Sequence, residues 1–151
     1  MPHRSKTNKE KLDEQWLRTE PGFFSDMWNT MKKRCSPEYM KKHSPNRKIQ
    51  INNDIKGRDH LLKMWEKQKK LLGGPYCIYT GVELTTVRHR GKGFTGYTKT
   101  NISLDRIDPN LPYQEDNIVF CSWEFNDTKG SVSPKDCKKI LKVYEERHAG
   151  N

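Results

Sequence analysis

The sequence predicts an α+β fold built as one small domain, and three observations carry that expectation. Apolar residues recur at helical spacing through the first half of the chain, and short β-type runs take over from Tyr76. Of the 151 residues only 32% are hydrophobic, against the usual share of about 45–50%, so the core must be small. A mean hydropathy of −1.07 agrees, while 10% aromatic residues argue against wholesale disorder.

The first twenty residues mix charges of both signs with Leu12, Trp16 and Leu17, a pattern for a short amphipathic helix or an arm, and Pro21-Gly22 is expected to break it. Over residues 23–33, Phe24, Met27, Trp28 and Met31 fall on one helical face, with Lys32, Lys33 and Arg34 complementing the C-terminal end of the dipole. Ser36-Pro37-Glu38 starts another helix, Ser36 as N-cap and Pro37 at the first helical position, and His43-Ser44-Pro45-Asn46 ends it. Residues 48–51 alternate like a short strand. Leu61, Leu62, Trp65, Lys69 and Leu72 mark a helix that Gly73-Gly74-Pro75 stops. Short β-type segments follow at 77–84, 101–107 and 118–121, the first two separated by a Gly- and Lys-rich loop at 88–99. The third runs into a helical segment at 123–129, and a last helix over about 134–147 carries Ile140, Leu141 and Tyr144 on one side.

Charge narrows the partners. Twenty-nine Lys and Arg against 19 Asp and Glu give +10, an excess whose self-repulsion a polyanion relieves, so nucleic acid is the favoured partner. No run approaches the roughly 18–20 apolar residues of a membrane span, and residues 1–6 lack the apolar stretch of a signal peptide; the expectation is a soluble, intracellular protein without a membrane partner. Cys35, Cys77, Cys121 and Cys137 stand far apart with no Cys-x-x-Cys pair, which disfavours structural zinc and leaves free thiols as the default.

The chemistry sits in Ser103-Leu-Asp-Arg-Ile-Asp-Pro109, Tyr113-Gln-Glu-Asp-Asn-Ile-Val-Phe-Cys121 and Glu124-Phe-Asn-Asp-Thr-Lys129. Read as strand, loop, strand, helix, these put Asp105 near the end of one strand, Asn117 at the entrance to the next and Asn126 inside the helix. The arrangement resembles the HNH family of ββα-metal (His-Me finger) endonucleases. Asn117, Asn126 and Lys129 keep an Asn-x8-Asn-x2-Lys spacing like the family's, and Leu-Asp-Arg-Ile-Asp is similar to a phage-type variant of its strand motif. Gln68, Cys77, Tyr79-Thr80-Gly81 and Leu84 look like the run that precedes the finger. The resemblance spans roughly residues 48–130, the nuclease core it implies, with 1–47 as a helical N-terminal arm and 131–151 as a C-terminal helix of the same compact domain.

The resemblance implies a metal-dependent DNA endonuclease, a hydrolase that nicks or cuts double-stranded DNA. Its cofactor would be one divalent cation, Mg²⁺ with Mn²⁺ able to substitute, held by Asp105 and Asn126. A hard cation that keeps several waters needs no more than a carboxylate and an amide oxygen when a phosphate supplies the rest. The plain alternatives are a surface ion pair of Asp105 with Arg106 and a helix-surface amide for Asn126. Asn117 is implied to tie the loop backbone, beside the alternative of an ordinary turn asparagine. Lys129, one turn beyond Asn126, would hold a phosphate oxygen or stay solvated. Asp108 reads as a turn former before Pro109, on the strand face opposite Asp105.

Arg106 departs from the family, which usually has His there as general base, because a guanidinium accepts no proton at neutral pH. It implies a phosphate-holding role while another base or metal-polarised water supplies the nucleophile, or a weakened or inactive enzyme, unless the alignment with the family fails here; His89 is the nearest other imidazole in sequence. For DNA engagement the candidates are Arg88, His89, Arg90, Lys92 and Lys99, among glycines that let the backbone approach phosphates. Lys32, Lys33, Arg34, Lys41 and Lys42 make a second patch. The rival readings are an inactive DNA-binding protein on the same scaffold and a basic RNA-binding protein.

Overall fold

A computed structural model describes residues 5, 7–43, 49–87, 98–128 and 136. Helices α1 (Asn8–Arg18), α2 (Glu20–Arg34), α3 (Pro37–His43) and α4 (Arg58–Leu72) precede strands β1 (Ile102–Arg106) and β2 (Ile118–Ser122) and the short helix α5 (Trp123–Thr128). Helices plus a two-stranded antiparallel sheet make the architecture α+β. None of the helices described is long and apolar enough to cross a membrane.

Helix boundaries follow local chemistry. Thr19 is extended and its Oγ1 accepts from Gly22 N at 3.1 Å, so α2 begins at Glu20, with Pro21 in the first turn where its missing N–H costs nothing. The expected break at Pro21-Gly22 therefore moves back to Thr19. Gly22 is required by proximity, since a Cβ there would lie 1.8 Å from the Trp16 carbonyl oxygen. Ser36 caps α3 by accepting from Tyr39 N, and α4 ends at Gly73, whose φ of 78° is left-handed.

The core lies where α2 and α4 cover one face of the hairpin. Phe120 on β2 meets Phe24 and Trp65, each at 5.5 Å between ring centroids, and Phe120 pairs across the sheet with Leu104. Gln68, buried on α4, splices this layer to the sheet. Its Nε2 donates to Phe120 O at 2.7 Å and to Tyr76 O at 3.0 Å, while its Oε1 accepts from Phe120 N at 3.0 Å.

Two expected strands are not strands. Of the strand expected over 48–51, the described residues 49–51 make a single bridge, Ile51 to Tyr113, where Asn52 N donates to Tyr113 O and Tyr113 N donates to Gln50 O. Residues 77–84 fold as a tight turn: Gly81 adopts φ 76° and donates to Cys77 O, while Tyr76 bridges Glu83. A left-handed residue ends extended pairing, so Cys77, Ile78, Tyr79 and Leu84 are buried from a turn rather than from a strand, while Val82 is exposed. Most of the helix expected over 134–147 and most of the 88–99 loop lie outside the described residues.

Candidate functional site

The hairpin has two faces because successive strand residues alternate. Leu104 and Phe120 point toward α2 and α4; Asp105, paired with Val119, points the other way, under Tyr79 and α5. Asp105 is only 6% exposed, and Tyr79 Oη donates to its Oδ2 at 2.6 Å. A carboxylate so buried needs such a partner, since an unpaired buried charge costs far more than a hydrogen bond returns.

Helix α5 packs against β1 and lays Asn126 on it. Asn126 Nδ2 donates to Ser103 Oγ at 2.7 Å and to Leu104 O at 3.2 Å, one to two residues before Asp105. Both bonds run from the amide nitrogen, which leaves Oδ1 as the oxygen that a cation would use. One carboxylate and one amide oxygen suit a hard cation such as Mg²⁺. Among the described residues no three His, Cys, Asp or Glu side chains gather into a metal cluster.

Asn117 is buried in the turn before β2. Its Oδ1 accepts from Asp108 N at 2.8 Å, and its Nδ2 donates to Asp108 O and Pro112 O, each at 3.0 Å. One side chain thus spans the loop that joins the strands. Asp108 lies beyond the end of β1 rather than on it, and its Oδ1 accepts from Asn110 N at 2.9 Å, the asparagine-like turn that initiates this loop.

Arg106, next to Asp105 on β1, reaches the loop that follows the strand. Its Nη1 donates to Pro109 O at 2.8 Å and Leu111 O at 3.2 Å, and its guanidinium lies 5.2 Å over the Tyr113 ring. Burial raises the Tyr113 phenol above its ordinary pKa, partly offset by Arg106, so the ring stays neutral beneath the cation. Burial likewise raises the Cys35 thiol, against the opposing pull of Arg106 and Arg34.

A cavity of about 480 Å³ opens beside Asn126, between α2 and β1. Met27, Met31 and Leu104 line it together with Arg34, Tyr113 and Asp127. Arg34 ends the basic run of α2, is exposed, and lines this cavity together with Asn126. Lys99 is exposed and faces Glu124 at 3.9 Å. Arg88, His89, Arg90, Lys92 and Lys129 lie outside the described residues.

Sequence reasoning missed the polar residues that hold the site from behind. Asn101 is fully buried: its Nδ2 donates to Val87 O and to Thr85, and its Oδ1 accepts from Thr98 N. Cys77 Sγ accepts from Thr80 N and from Ser122 N, each at 3.4 Å. An asparagine just before a β-branched strand residue was the available signal for the first. No protein-family model, curated protein or solved structure matches this chain.

Proposed function

We propose that this chain is a divalent-metal-dependent DNA endonuclease of the HNH type. The observation that supports it most is Asp105, a buried carboxylate on the first strand of an antiparallel hairpin whose following helix lays an amide on the same strand. A fold with so small a core gains little stability from burying a carboxylate; holding a cation explains the expense. When bound, Mg²⁺ or Mn²⁺ supplies Lewis-acid stabilisation of the charge that develops at the scissile phosphate. Asp105 and Asn126 Oδ1 are its holders, and Asn117 fixes the loop between the strands so that β1 and α5 keep their spacing. Arg34 at the mouth of the cavity and Lys99 neutralise DNA phosphates, with Arg88, Arg90, Lys92 and Lys129 as further candidates. Arg106 takes no proton and clamps the loop, so the general base lies elsewhere, and His89 is the imidazole that the sequence offers.

Supercoiled plasmid incubated with the pure protein is expected to be nicked or linearised with Mg²⁺ or Mn²⁺ and left intact in EDTA. No cutting under any metal would end the enzyme reading. DNA retardation without cutting would favour the second reading, a non-catalytic DNA-binding protein, which the loop-bound Arg106 supports because it occupies the position of the family's usual base.

Salt dependence is a separate expectation. Arg34→Ala is expected to reduce the log–log salt slope of DNA binding by roughly one unit, because one phosphate contact releases about one counterion. An unchanged slope in filter-binding titrations would remove Arg34 from the interface.

A further inference from the structure

We propose that the cavity between α2, β1 and α5 receives an unpaired base of DNA, so that the protein prefers a duplex carrying a bulged nucleotide over an intact one. The inference rests on the DNA-binding half of the reading above, not on cutting, and adds to it a feature of the substrate. The cavity holds about 480 Å³, within the roughly 300–1,000 Å³ of small-ligand pockets. It is lined by whole helical faces. On α2, Met27, Thr30, Met31 and Arg34 follow at i, i+3, i+4 and i+7, and on α5 Trp123 and Asp127 lie one turn apart.

Each part of a nucleotide finds a matching group in this lining. Met27 and Met31 are buried and form an apolar, polarisable floor on which a flat heterocycle makes sulfur–ring contacts. Trp123 is 37% exposed, a large indole left open where stacking on a base would bury it. Arg34, exposed at the end of the basic run of α2, offers its guanidinium to the phosphate beside the base. Thr30 and Asp127 supply a hydroxyl and a carboxylate, groups that pair with the polar edge of a base. A carboxylate in the wall also disfavours a bare anion, which selects the base rather than free phosphate as the occupant. In intact duplex every base is stacked and paired, so a base already out of the stack enters at the least cost.

The test measures fluorescence anisotropy in EDTA, where no metal-dependent cutting intervenes, on two labelled duplexes that differ by one unpaired adenine. Wild type is expected to bind the bulged duplex about tenfold more tightly, the size of one base–aromatic stack. Trp123→Ala is expected to bring the two affinities within about twofold of each other, as is Thr30→Phe, which fills the cavity with a ring of its own. Thermal melting reports whether each variant folds, and Thr30→Phe carries the test should Trp123→Ala fail to do so. Equal affinities in the wild type overturn the proposal. A preference that survives in either folded variant overturns it as well, because a bulge also eases bending and a protein can read the bend without touching the base. Tighter binding of the same bulge in an RNA duplex would overturn the assignment to DNA. A wild type that binds neither DNA would overturn the DNA-binding reading together with this one, whereas equal binding of both overturns this one alone.

Discussion

Replacing Asp105 by Ala is expected to lower metal-dependent cleavage by about 10²–10⁴-fold, since a metal's stabilisation of transition-state charge is worth several kcal/mol and each tenfold in rate is about 1.4 kcal/mol. The Ala variant also strips Tyr79 of its acceptor, a buried hydroxyl at 2.6 Å from the lost oxygen. Asp105→Asn separates the two effects. It keeps the shape and an oxygen for the phenol while removing the charge, so its cleavage is expected to fall almost as far as that of the Ala variant with a smaller loss of thermal stability. Plasmid cleavage under single-turnover conditions, read beside melting curves, decides the matter. Near-wild-type cutting by Asp105→Asn would show that the carboxylate charge has no part in the chemistry.

Asn117→Ala carries the second large effect, and it is on stability. Three polar groups of the loop, Asp108 N, Asp108 O and Pro112 O, lose their partner at once. Leaving a buried group unsatisfied costs about 1–3 kcal/mol, and with partial rescue by water the total is expected at roughly 2–4 kcal/mol, or a fall of about 10 °C in the melting midpoint. Asn117→Asp retains the acceptor for Asp108 N but sets a carboxylate against two carbonyl oxygens, so it is not expected to rescue. Mn²⁺ affinity should drop less than in Asp105→Ala. Equal losses would mean that Asn117 does more than hold the loop.

The local part of the fold was legible in the sequence, and the part that depends on distant partners was not. Helical spacing placed α2 and α4, and Gly73 marked the end of α4, because these signals are written within one turn of chain. The spacing from Asn117 to Asn126 put the first at the entrance to β2 and the second in α5. Residues 77–84 were read as extended since Ile78, Tyr79 and Val82 have strand composition; the left-handed Gly81 that turns the chain could only be weighed against its neighbours' packing. The loop contacts of Arg106 were not legible for a similar reason. Its acceptors are loop carbonyls whose position depends on Asn117, eleven residues away. Tyr79 and Gln68 reach across 26 and 52 positions, separations that no local pattern records.

Gln68 has a consequence for how the strand-loop-strand-helix unit can be handled. The backbone N–H and C=O of Phe120 are both answered by an amide from α4, and the N–H of Ser122 by the Cys77 sulfur. A peptide spanning only residues 98–128 would carry these groups with no internal partner and Phe120 with neither of its aromatic neighbours. The unit is therefore not a portable cassette. Grafted into a foreign host it would need a glutamine and a thiol supplied from the host's own helix and turn.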